Sequence, residues 1–155
     1  MAAATNTEPR SRLIGDWVPL VAWAALITWS SGAPALGIGD AVLNLDVRFI
    51  PDDYTFRPDE FRYHVGSFGI LALLLYRALQ PGPLRTFGFP VLAVLALTIG
   101  FGFVDELHQA FVPGRVASLV DLGYDSLGAA LFLLGLEASL FLHSRLSAVL
   151  GQSAG

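Results

Sequence analysis

The stretch FGFPVLAVLALTIGFGFVDELHQAFVPGR, residues 87–115, runs without a charge from Phe87 to Val104 and then sets Asp105, Glu106, His108, Gln109 and Arg115 close together. An uncharged helix over Phe87 to Val104 rises about 27 Å, which crosses most of a hydrocarbon core of about 30 Å. Asp105 therefore falls at the far membrane edge. Pro113-Gly114 ends the helix and turns the chain, and a further apolar stretch opens with Asp121 and Asp125. A charged side chain at the centre of a spanning helix costs roughly 2.5 to 3.5 kcal/mol on insertion scales, so a group of them must face protein or water and pair. That concentration of polar groups is a candidate site.

The rest of the composition agrees with a membrane reading. Of the 155 residues 54% are hydrophobic and only 14% charged, which lies outside the soluble range and commits the apolar residues to bilayer-length runs. One integral membrane domain is expected, over residues 13–143, with short flexible tails at 1–12 and 144–155. All nine basic residues are Arg and the formal net charge is -4, so no polybasic stretch points to nucleic acid or to an anionic lipid surface. Cysteine is absent, which excludes disulfides, thiolate nucleophiles and Cys-type zinc sites. A metal would need His, Asp, Glu or Gln ligands.

The hydropathy pattern predicts an all-α membrane protein, an antiparallel bundle of four transmembrane helices over about 13–31, 63–79, 87–111 and 119–142. Arg10 and Arg12 before the first apolar run, with Ala33-Pro34-Ala35 after it, imitate a secretory signal. The run from Leu13 to Ser31 is nevertheless of spanning length and Pro34 sits inside the cleavage-like motif, so a retained helix is expected, with Trp17 and Trp29 as interfacial anchors. The second helix is short, about 25 Å from Tyr63 to Leu79, which keeps His64 at or just inside the interface. Residues 32–60 form a long acidic loop with room for a short interfacial helix. Pro81-Gly82-Pro83 makes a tight turn between helices two and three. With both termini cytoplasmic, Arg10, Arg12, Arg77, Arg85 and Arg145 lie inside and Arg48, Arg57, Arg62 and Arg115 outside, in the sense of the positive-inside rule. His64, the 105–115 segment, Asp121 and Asp125 then share the outer membrane edge.

Helical spacing decides which of these groups meet. Asp105, His108 and Gln109 share a face, and Glu106 pairs with Gln109 three residues on. Asp121 and Asp125 are four apart, with Gly128 on the same stripe, where a small residue lets helices approach closely. Arg115 is free to fold back over the end of helix three, and its planar fork suits a carboxylate or a phosphate. The bland reading is a buried ion-pair and hydrogen-bond network that locks helices three and four. The acid excess, Asp105, Glu106, Asp121 and Asp125 against one Arg and two His, favours a cation, either a divalent metal or a cationic headgroup. His64 or His108 with Glu106 and Asp121 supplies metal-ligand types but no HExxH spacing. Acid-base chemistry by Glu106 or His108 is a further option. His64 is expected to form a third wall of the site, Glu137 to snorkel to headgroups at the opposite surface, and His143 to be interfacial.

Asp105-Glu106-Leu107-His108-Gln109 through Pro113-Gly114-Arg115, followed by Asp121 and the Gly128 helix, resembles the VanZ-like family of small membrane proteins. Glu106, Gln109, Arg115 and Asp121 take the positions of that family's acidic residue, Gln, Pro-Gly-Arg turn and helix-opening Asp. His64 matches its His at the start of helix two, and Trp29-Ser30-Ser31 its Ser-containing end of helix one. Asp125 departs from the Asn common in the family, and Arg62 from the usual Lys. The resemblance covers Leu13 to about Leu142 and implies a multi-pass bacterial cytoplasmic-membrane protein, in a family whose founding member is associated with low-level teicoplanin resistance. It implies no known reaction. The reading is thus an envelope protein with an outward polar pocket on helices two, three and four. Its partner is a membrane lipid or lipid-linked envelope precursor, bound by His64, Asp105, Gln109, Arg115, Asp121 and Asp125. The rival classes are an intramembrane enzyme acting on a lipid headgroup, with Glu106 and His108 as catalytic groups, and a structural partner subunit. The apolar middle of helix three argues against transport.

Overall fold

Helices α1 (Glu8–Ser31), α2 (Pro58–Leu79), α3 (Phe89–Gln109) and α4 (Leu119–Gln152) make up the protein in a computed structural model that describes residues 8–32, 55–79 and 89–152. There is no strand among the described residues. α3 from Pro90 to Gln109 and α4 from Leu119 to Leu150 are long and apolar enough to cross a membrane. The interfacial helix expected in the first loop and the Pro81-Gly82-Pro83 turn lie outside the described residues.

Three helices run beyond the limits read from hydropathy. α2 starts at Pro58, because proline is preorganised for the first helical position and Asp59 and Glu60 complement the helix N-terminus. Arg57 adds an ion pair to Glu60 at 2.6 Å. α4 does not stop at Leu142 but continues to Gln152, a total of 34 residues or about 51 Å. No Gly or Pro interrupts the stretch 144–150, the first part of the expected tail, and its side chains are exposed. At the front of the chain α1 likewise begins at Glu8, within the expected N-terminal tail.

Contacts fix the directions of the helices. Asp16 of α1 meets Arg77 of α2 at 2.7 Å, while Ser30 at the other end of α1 meets Tyr63, so α1 and α2 are antiparallel. α2 and α4 run parallel, since His64 meets Asp125 and, further along, Tyr76 meets Glu137. The C-terminal ends of α1 and α3 and the N-terminal ends of α2 and α4 therefore share one end of the bundle. The described chain's first and last residues are both at the other end.

α2 is the centre of the fold. It packs on all three other helices and most extensively on α4, whereas no comparable contact joins α1 to α4 among the described residues. One apolar cluster joins α1 and α2 through Leu20, Ile27, Phe68 and Leu71, with Trp23 donating its indole N–H to the Ser67 carbonyl at 2.9 Å. The other joins α2, α3 and α4 through Ala72, Tyr76, Val94, Ala129 and Leu133. Backbone proximity of α2 and α4 depends on Gly128. A Cβ there would stand 2.3 Å from the Val65 carbonyl oxygen and 2.8 Å from its Cα. One turn further, a Cβ on Gly69 would meet the Phe132 ring at 2.5 Å.

Gly128→Ala should therefore separate α2 from α4 and cost at least about 1 to 3 kcal/mol, as overpacked contacts do. Gly123→Ala, which meets nothing within 4 Å, should be neutral or gain up to about 1 kcal/mol of helix propensity. Reversible unfolding in detergent micelles measures both, and equal stability of the two variants would contradict this account of the α2–α4 contact.

Candidate functional site

The shared end of the bundle holds a layer of polar side chains drawn from all four helices. α3 supplies Asp105, Glu106 and Gln109, all at most 6% exposed, on the face that meets Ser31 of α1 and the start of α4. Ser31 of α1, also buried, donates to Asp105 Oδ1 at 2.7 Å. Gln109 Nε2 reaches Asp105 Oδ2 at 3.4 Å and Glu106 Oε1 at 3.3 Å, both long and weak bonds. Glu106 Oε2 accepts the backbone N–H of Ser118 at 2.7 Å.

That last bond ties two helices together through a cap. Ser118 is the N-cap of α4, its hydroxyl accepting from Val120 N at 3.2 Å and Asp121 N at 3.4 Å. Ser-x-x-Asp is a capping-box spacing, in which the fourth residue would accept the cap's own N–H. Here Glu106 of α3 takes that N–H instead, so the start of α4 is fixed to the end of α3.

Between them the chain turns as its sequence demands. The residue before Pro113 is driven from helical geometry, and α3 ends at Gln109 with Val112 N–H closing onto the Gln109 carbonyl at 2.9 Å. Gly114 takes φ 77°, a left-handed conformation suited to glycine. Arg115 follows, half-buried, and its Nη2 donates to the Ser30 carbonyl at 3.3 Å, reaching the end of α1.

On the α2–α4 side, His64 Nδ1 and Asp125 Oδ1 are 2.8 Å apart, both buried. The His64 ring stacks on Phe68 with ring centroids 6.4 Å apart and meets Tyr63 edge-on. Tyr63 in turn shares a hydrogen bond with Ser30. Asp125, 1% exposed, leaves its second oxygen, Oδ2, without a hydrogen-bond partner among the described residues. Donor atoms of His64, Glu106 and Asp125 all lie within 4.8 Å of one another.

The residues singled out in the sequence are thus brought to one end, but not in the arrangement spacing suggested. His64 rather than His108 pairs with a carboxylate. The His108 ring turns toward the end of α1, where its Cε1 would stand 3.1 Å from a Cβ on Gly32, and its buried Nδ1 has no partner among the described residues. Asp125, not Asp121, joins His64 and Glu106, while Asp121 stays half-exposed one turn earlier. Glu137 accepts the Tyr76 hydroxyl at 2.7 Å on the α2–α4 contact, so it is held by protein and does not snorkel freely. Sequence reasoning gave no site role to Ser31, Tyr63 or Ser118: the Ser31 hydroxyl donates to Asp105, Tyr63 shares a hydrogen bond with Ser30, and the Ser118 hydroxyl accepts at the start of α4. Only the capping-box spacing at Ser118 was there to be read.

A family model described as VanZ/LLP1 matches residues 17–141, a segment that contains every one of these side chains. No curated protein and no solved structure matches the chain. The match takes in most of the sequence, and the protein belongs to the VanZ/LLP1 family.

Proposed function

We propose that the protein is a multi-pass protein of the bacterial plasma membrane whose polar layer binds a lipid-linked or amphiphilic ligand of the cell envelope. The observation that carries this reading is the convergence of buried polar side chains from four helices on one end of the bundle. In this arrangement all four helices span, both termini are cytoplasmic, and the layer lies at the outer membrane edge. The shared end of the described termini supports that topology, as do Arg10, Arg12, Arg77 and Arg145, which the helices carry toward that end. The polar residues of α2 support it too: Asp59, Glu60 and Arg62 cluster in its first turns and Arg77 in its last, leaving an uncharged middle.

Arg115 is the group that holds an anionic headgroup. A guanidinium grips a phosphate or carboxylate through two parallel N–H bonds, and this one sits on the turn that closes the layer. Glu106, Gln109 and Asp121 orient the ligand. Kinship with a family whose founding member affects teicoplanin susceptibility supports an envelope ligand, and a shared site serves different ligands in different members.

A second reading is an enzyme acting on a lipid headgroup, and one observation favours it. The His64–Asp125 pair has the arrangement in which a carboxylate fixes an imidazole's orientation for general base work. His64 then acts as the base, with Glu106 beside it, and Arg115 stabilises negative charge.

Mass spectrometry of lipids that co-purify with the protein separates these readings. The native chain should retain an anionic amphiphile, and Arg115→Ala should weaken its binding about 10- to 100-fold, the worth of a charge-assisted hydrogen bond. Equal retention by native and Arg115→Ala would sink the binding role given to Arg115. Whole-membrane lipid profiles at matched abundance should be the same for the native chain, Glu106→Gln and no protein if the protein only binds. A headgroup change made by the native chain and lost in Glu106→Gln would establish turnover instead.

A further inference from the structure

His64 of α2, Glu106 of α3 and Asp125 of α4 form a group whose mutual closeness the ligand-binding reading does not require. All three are buried, at 8%, 4% and 1% exposure, and one donor atom from each lies within 4.8 Å of the other two. With both carboxylates ionised, two carboxylates and one imidazole removed from water would carry excess negative charge that the His64–Asp125 contact and the Ser118 N–H offset only in part.

The clearest sign is Asp125 Oδ2. This oxygen is buried and unpartnered among the described residues, while its twin is on His64. It lies against α3, 3.0 Å from where a Cβ on Gly102 would be, and Gly102 is one helical turn before Glu106 on the same face. The oxygen is therefore directed toward the helix that carries the second carboxylate.

The spacing also fits a common ion. Two ligand atoms bonded to one tetrahedral ion at about 2.0 to 2.2 Å stand about 3.4 Å apart. His64 Nδ1 and Asp125 Oδ1, hydrogen-bonded at 2.8 Å, need part by only about half an ångström to admit one. Glu106 is held by the Ser118 N–H on Oε2, while Oε1 has only the long contact from Gln109, so a carboxylate rotation brings it in. An imidazole with two carboxylates suits a first-row divalent ion such as Zn2+ or Mn2+ better than the all-oxygen sites that Mg2+ and Ca2+ prefer.

We propose that His64, Glu106 and Asp125 bind a divalent transition-metal ion that clamps α2, α3 and α4 together at this end of the bundle. The inference concerns the same polar layer as the proposed function, but it rests on these three side chains and not on the identity of the amphiphile. A cation there neutralises the layer and, with protein ligands from three residues, keeps coordination positions for water or for an anionic headgroup oxygen.

The full chain, purified in detergent and stripped with a chelator, should take up one equivalent of Zn2+ or Co2+ added alone. Binding should weaken as pH falls, because each ligand must be deprotonated to bind. Asp125→Asn and Glu106→Gln should each lower Zn2+ affinity by at least about 100-fold, the upper end of what losing a supporting residue around a metal costs. Glu137→Gln, about 18 Å along α4, should leave affinity unchanged. His64→Cys should give the Co2+ complex a thiolate charge-transfer absorption that the native complex lacks, a signal that does not depend on the carboxylate variants folding. No stoichiometric uptake by the native chain, native affinity in both carboxylate variants, or absence of the thiolate band would each overturn the site. Lipid co-purification is read on the same samples. Metal bound without lipid would leave this inference standing and sink the ligand reading, and lipid without metal would do the reverse.

Discussion

The backbone of α4 at Gly128 rests on the backbone of α2 at Val65, and the polar layer depends on that approach. A side chain at 128 would occupy the Val65 carbonyl, so the two helix axes would move apart. His64 is the neighbour of Val65, and Asp125 lies three residues before Gly128. Their 2.8 Å contact is one turn from the point of closest approach and cannot survive a wider separation. Gly69 and Gly102 repeat the device on either side: the first admits the Phe132 ring between α2 and α4, the second lets the Asp125 carboxylate sit against α3. Glycines at contacts are thus what allow three helices to place acidic groups on one another.

Burial of those acids is sustained by bonds to helix ends. The last turn of a helix has unpaired carbonyls and the first turn has unpaired N–H groups, and a layer where four helix ends meet has both in number. Glu106 takes the Ser118 N–H, Arg115 takes the Ser30 carbonyl, and Ser31 serves Asp105. The Arg115 and Ser31 bonds reach between α1 and the α3 end of the layer, so the layer ties α1 to α3, with which it has little other contact. The same bonds explain why the turn at 110–114 is short: Glu106 and Ser118 must be within one hydrogen bond of each other.

How much of this could be read from the sequence follows from what repeats within a helix and what does not. The four helices and the apolar runs of α3 and α4 were legible, because hydropathy is a property of consecutive residues. The early start of α2 was not, since Asp59, Glu60 and Arg62 read as loop until Pro58 is seen as a helix start. Nor was the continuation of α4, where His143 and Arg145 imitate an ending that no helix breaker enforces. Within α3 the Gln109 pairings with Asp105 and Glu106 follow from spacing of four and three. Pairings between helices do not. That His64 meets Asp125 and not Asp121, and that His108 turns to α1, is set by the rotation and height of α2 against α4, which Gly128 fixes and no local pattern encodes.

The layer is a poor design for a purely structural lock. Replacing a buried ionic network with well-packed apolar residues is often neutral or stabilising, so such a network is weak evidence of a stabilising role. A network kept only to hold helices in register would at least satisfy its own members, because a partly satisfied one is worse than none. This one leaves Asp125 Oδ2 and His108 Nδ1 buried without partners among the described residues, and spends two long bonds from a single amide nitrogen on two carboxylates. The unsatisfied groups are a carboxylate oxygen on α4 and an imidazole nitrogen on α3, in a layer closed by the turn that carries Arg115. A cation or a ligand group bound there, as proposed, would supply the partner that these groups lack among the described residues.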